Sequence, residues 1–73
     1  MPEEIKAPLT GTVWKIEAKV GDNLDEDDTI MILESMKMEI PIEAPFDGEL
    51  VEIKVKEGDS IQDGQVLAVM EED

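Results

Sequence analysis

Residues 5–24, IKAPLTGTVWKIEAKVGDNL, lie without a gap on residues 42–61, IEAPFDGELVEIKVKEGDSI, when the chain is slid by 37 positions. Ile5/Ile42, Ala7/Ala44, Pro8/Pro45, Gly11/Gly48, Ile16/Ile53, Lys19/Lys56, Gly21/Gly58 and Asp22/Asp59 are identical pairs, and Ile30 and Ile32 fall on Leu67 and Val69. A repeat of this length makes each copy one supersecondary unit that cannot bury its apolar face alone. The chain must therefore close two similar halves, about 5–36 and 42–73, on each other as one domain spanning 1–73.

Each half reads as short strands between turns. Trp14, Ile16 and Ala18 alternate with polar neighbours, as do Val51, Ile53 and Val55, a two-residue period that belongs to strands. Gly21-Asp22 and Gly58-Asp59 place a glycine where a turn can require positive φ. Pro8 and Pro45 stop any helix running through them. Asp47-Gly48 and Asp63-Gly64 add further turn signals. Turns spaced about 8–12 residues apart point to an all-β sandwich or barrel. The expectation is two half-sheets, one from each copy, each covering the other's apolar face. The Pro/Glu-rich start and the final EED read as solvated tails or as the edges of an excised domain.

The junction of the two copies is the most unusual stretch. In MILESMKMEI, which begins at Met31, and on to residue 42, Met36, Met38, Ile40 and Ile42 alternate with Lys37, Glu39 and Pro41. Leu, Met, Glu and Lys favour helix, but the segment is short, uncapped and joins two β units. It is read as a hairpin with its tip near Met36-Lys37, at one end of the barrel, with both chain termini at the other. A lysine at a strand end is ordinarily a solvated charge that blunts an edge, and methionines are ordinarily core filler. Against that reading, Lys37 is the one lysine at the junction. Lys6, Lys15, Lys19, Lys54 and Lys56 lie on repeat strands or turns.

Composition narrows what Lys37 can do. Twenty acidic residues against six lysines give a formal charge of −14, which argues against nucleic acid and anionic membrane as partners. The same charge opposes self-association, and a monomer is expected. No apolar run approaches the roughly 20 residues of a membrane span, and the acidic N-terminus is unlike a signal region, so a cytoplasmic location is expected. The absence of cysteine and histidine removes the thiol nucleophile, the commonest general base and the usual zinc ligands. A chain of this size buries only roughly 60% of its unfolded surface and has little left for a catalytic cleft. No catalytic residue is expected.

The segment ESMKM (34–38), then APFDG (44–48) and VKEGDSIQDGQVLAVME (55–71), resembles the biotinyl/lipoyl attachment domain over nearly the whole chain. The resemblance implies a flattened barrel of two four-stranded antiparallel sheets related by a pseudo-twofold. It also implies covalent biotin on Lys37, placed there by a biotin protein ligase from biotinyl-adenylate, with Met36 and Met38 packing the tip and flanking the lysine for recognition. The biotin arm of such a domain carries a carboxyl group from a biotin carboxylase site to a carboxyltransferase site. Lipoyl domains share the fold but typically carry Asp before the lysine. Met36 and Met38 thus favour biotin over lipoate, which stays the alternative cofactor. Ser35 stands where the family usually has Ala. The inserted thumb and long Ala/Pro-rich leader of bacterial acetyl-CoA carboxylase carrier subunits are not seen. The resemblance is thus closest to small stand-alone biotin/lipoyl attachment proteins or to the carrier segment of a larger carboxylase.

Three other readings compete with this one. GDSI (58–61) mimics the phosphopantetheine motif of acyl carrier proteins through Ser60, but those proteins are helical and the repeat makes Ser60 a turn residue. Asn23, Asp25, Asp27 and Glu34 match positions 1, 3, 5 and 12 of a calcium loop, yet Asp28 stands where glycine is required and no helix flanks it, leaving a solvated acidic turn. An adaptor of the same fold with an unmodified lysine is the third.

Overall fold

The repeat is legible in the backbone strand by strand. In a computed structural model that describes residues 2–73, the strands are β1 (Pro2–Lys6), β2 (Gly11–Ile16), β3 (Asn23–Leu24), β4 (Thr29–Ser35), β5 (Met38–Glu43), β6 (Gly48–Ile53), β7 (Ser60–Ile61) and β8 (Val66–Glu72). Shifting β1–β4 by 37 positions lands them on β5–β8. Among the described residues there is no helix.

The two sheets run β1-β8-β6-β3 and β5-β4-β2-β7, with every neighbouring pair antiparallel. This corrects the expectation of one half-sheet per copy. Each sheet takes two strands from each half, so the halves interlock and the pseudo-twofold exchanges the sheets. The physical reason is pairing. A strand buries its backbone polar groups only against a neighbour, and exchange gives each central pair, β4-β2 and β8-β6, both of its edge strands from the other half. The start of the chain is corrected as well. Pro2–Lys6 is no solvated tail but the edge strand β1, paired with β8 from Pro2↔Glu71 to Lys6↔Val66; Met1 lies outside the described residues.

The core is filled from both sheets. Ile30, Met31, Leu33, Leu50, Ile61, Leu67, Met70 and Val13 are fully buried, and among the described residues no polar or charged side chain is buried with them. The two-residue period put Trp14 in one alternating set with Ile16 and Ala18, and the structure departs from it: Val13 is 1% exposed and Trp14 48%. The register slips between Val13↔Leu33 and Lys15↔Ile32, and likewise between Leu50↔Met70 and Glu52↔Val69. Trp14 and Val51 are thus the extra residues of two equivalent β-bulges, and a bulge turns its extra side chain off the alternation.

Turn chemistry is duplicated with the strands. Asp22 Oδ2 accepts from the Lys19 N–H and Asp59 Oδ2 from the Lys56 N–H, both at 2.9 Å. Gly21 and Gly58 have φ of 98° and 94°, as the sequence suggested. Gly48 differs from its turn reading. It opens β6, and a Cβ there would run into the backbone oxygen of Glu71. Its counterpart Gly11 would put a Cβ 2.5 Å from the Glu34 oxygen. These two glycines let strands approach closely instead of bending the chain.

Candidate functional site at the hairpin tip

β4 and β5 form a hairpin whose last paired residues are Ser35 and Met38. Only Met36 and Lys37 remain to reverse the chain, with φ of 52° and 65°. A two-residue loop with positive φ at both positions matches the right-handed twist of its strands, and Asn-Gly usually supplies it. Here neither residue is glycine. Left-handed backbone costs an L-residue with a Cβ roughly 1–2 kcal/mol, so the barrel holds these two residues in place against a local preference. The tip lies where the sequence placed it.

Chain tracing fixes which end of the molecule this is. β1 runs away from Pro2, and residues 7–10 lead directly into the start of β2, where Thr12 pairs with Glu34 beside the tip. The start of β1 and the end of β8 therefore lie a strand's length from the tip, at the other end of a body 35 Å long and 17 Å across.

Lys37 is exposed, and the ion pairs among the described residues, Lys15–Glu17 at 3.6 Å and Lys54–Glu52 at 3.4 Å, do not involve it. An amine so displayed suits covalent attachment of a cofactor through a carboxyl group, because an activated acyl carbon can reach Nζ without displacing a partner. Met36 is 91% exposed and Met38 62%. The expectation that they pack the tip is therefore wrong. A two-residue loop has no interior to bury Met36, and Met38, the first residue of β5, also faces outward, so both methionines stand out as apolar surface beside the lysine. Glu34 and Glu39 face each other one rung below.

Two residues below the tip were underread in the sequence. Ser35 Oγ donates to the Thr10 carbonyl at 3.0 Å, and Thr10 Oγ1 accepts from the Asp63 N–H at 3.2 Å. Thr10 is a polar loop residue without a motif, so nothing local marks it. Its repeat partner Asp47, which accepts from the Glu26 N–H at 2.7 Å, was the available signal.

The rival sites do not assemble. Ser60 is not in a turn but in β7, paired with Thr12. Asp25 and Asp28 close a turn, with Asp28 Oδ2 accepting from the Asp25 N–H at 2.9 Å, while Glu34 lies at the far end of β4. Among the described residues, no three acidic side chains come together as a metal site. A shallow cleft beside β3, lined by residues including Glu17, Asp22 and Asp28, does not include Lys37 or its methionines.

An interlocked all-β barrel with a lysine on a two-residue hairpin tip defines a class, and comparison with known proteins agrees with it. Residues 2–70 match the family described as "Biotin-requiring enzyme". The chain belongs to that family, as one of its small biotin carrier domains. It is 40% identical over 42 residues to the biotinylated protein TB7.3 of Mycobacterium bovis, covering 58% of this chain and 59% of that protein. It is 56% identical over 36 residues to the methylmalonyl-CoA carboxyltransferase 1.3S subunit of Propionibacterium freudenreichii subsp. shermanii, covering 49% of this chain and 29% of the subunit. A solved single-chain, multi-domain long-chain acyl-CoA carboxylase superposes with a TM-score of 0.94 at 28% identity, over 99% of this chain and 7% of that one. The chain thus spans little more than half of its small relative and a minor part of the larger proteins it resembles.

Proposed function

We propose that Lys37 is the residue that takes biotin, through its Nζ, from a biotin protein ligase. The domain is then a non-catalytic, monomeric carrier, working in the cytoplasm between the biotin carboxylase and carboxyltransferase sites of a biotin-dependent carboxylase. The observation that supports this most is the position of Lys37. It stands exposed at the point of chain reversal, free of the ion pairs above, a strand's length from the start of β1 and the end of β8.

In the attachment step the lysine nitrogen forms an amide bond with the activated carboxyl carbon of biotin. The activating group leaves, the amine gives up its protons, and the tip loses one positive charge. Biotin, once bound, supplies transfer of a carboxyl group. The chain's own residues hold the root of the arm. The barrel fixes where the arm begins, and tethering keeps its far end at high effective concentration near both sites. The exposed methionines give a ligase apolar surface to grip. Met36, where lipoyl domains carry Asp, supports biotin over lipoate.

Streptavidin blotting of the protein from its native cells tests the reading, with Lys37→Arg alongside. A guanidinium keeps the charge but cannot form this amide. A labelled wild type and an unlabelled variant are expected. A native protein that carries no biotin would make the chain an adaptor.

A further inference from the structure

We infer that Ser35 is a positioning residue for attachment at Lys37: its hydroxyl locks the base of the tip to the loop before β2, so that the lysine is offered in one orientation. The inference rests on the proposed role of Lys37 and adds to it the part that holds the lysine still.

The two ends of the barrel are built on the same joint, and their difference isolates Ser35. At the end away from the tip, the Asp47 carbonyl accepts from the Asp73 N–H at 3.1 Å while the Asp47 side chain accepts from the Glu26 N–H at 2.7 Å. At the tip the repeat puts Thr10 in place of Asp47, Asp63 in place of Glu26 and Met36 in place of Asp73. The Thr10 hydroxyl accepts from the Asp63 N–H at 3.2 Å, as expected of the repeat. The carbonyl, however, cannot be served in the same way, because the chain reverses at Met36. Ser35 Oγ, one residue earlier, donates to it instead at 3.0 Å.

Close packing makes this bond possible. A Cβ on Gly11 would stand 2.5 Å from the Glu34 oxygen and 3.2 Å from the Ser35 Cβ, so the missing side chain lets the end of β4 settle against the loop. An alanine at position 35 would leave the Thr10 carbonyl without this donor and the two strained residues beyond it less firmly rooted.

The test takes wild type, Ser35→Ala and the hydroxyl-retaining Ser35→Thr. Amide order parameters at Met36 and Lys37 are measured on the free domain, and KM and kcat for biotinylation with a biotin ligase. In Ser35→Ala the order parameters should fall toward the flexible range, below about 0.6. KM should rise roughly three- to tenfold, the span of one ordinary intramolecular hydrogen bond, with kcat changed less than about twofold. Ser35→Thr should restore both. Unchanged order parameters in Ser35→Ala overturn the inference, and so does a looser tip with unchanged KM, which would make the bond merely structural. Should wild type accept no biotin at Lys37, the proposed function fails, and that failure is read separately from the order parameters.

Discussion

Ser35 and Met38 form the last rung of the β4–β5 hairpin, so the chain reverses through Met36 and Lys37 alone, both in left-handed backbone. Glycine takes that conformation without the clash of a Cβ. Lys37→Gly should therefore stabilise the domain by about 1 kcal/mol, a rise of roughly 4–8 °C in Tm for a chain of this size. Lys37→Ala keeps the clash and should move stability by less than about 0.5 kcal/mol. Thermal unfolding compares them. A glycine variant no more stable than wild type would show that the tip is not strained.

Gly21 and Gly58 probe the repeat without reference to any cofactor. Both have positive φ, and neither would place a Cβ within 4 Å of another residue, so the penalty of a side chain is conformational at both. Gly21→Val and Gly58→Val should each cost about 1–3 kcal/mol and agree closely. Widely different losses would mean that the two turns are not equivalent.

The same comparison shows what could be read in the sequence and what could not. Turn residues and core periodicity are local, so Gly21, Gly58 and the hairpin around Lys37 were legible. Which strand pairs with which is a long-range choice, and a repeat is satisfied equally by separate or by interlocked halves. Hence the exchange of β1 and β3 for β5 and β7 between sheets was not legible. Trp14 was misplaced because a bulge adds one residue without leaving a mark in a two-residue period. Gly48 was read as a turn because its neighbour Asp47 suggested one, whereas the contact that requires glycine is with Glu71, distant in sequence.

Charge offers a further check. Glu49 and Glu71 are exposed and directly opposite on neighbouring strands, as Glu34 and Glu39 are beside the tip. Like charges in such pairs are destabilising. Glu49→Lys should stabilise by about 0.2–1 kcal/mol at low salt, and added salt should shrink the gain. Denaturant midpoints at two ionic strengths measure it. A gain that does not respond to salt would point to a cause other than charge.

The exposure of Met36 makes it open to exchange without harm to the core. Met36→Asp should leave Tm within about 2 °C, lower the rate of biotinylation and improve the domain as a substrate for a lipoyl ligase. Labelling by both ligases that is unaltered by the substitution would show that the methionine is not what they recognise.

The most direct measurement is the mass of each lysine-bearing peptide after the unmodified domain has been incubated with biotin, ATP and a biotin ligase. One biotinyl adduct is expected, on the peptide that carries Lys37, with Lys6, Lys15, Lys19, Lys54 and Lys56 unmodified. An adduct on any of those five, or none at all, would contradict the assignment of the hairpin tip as the attachment site.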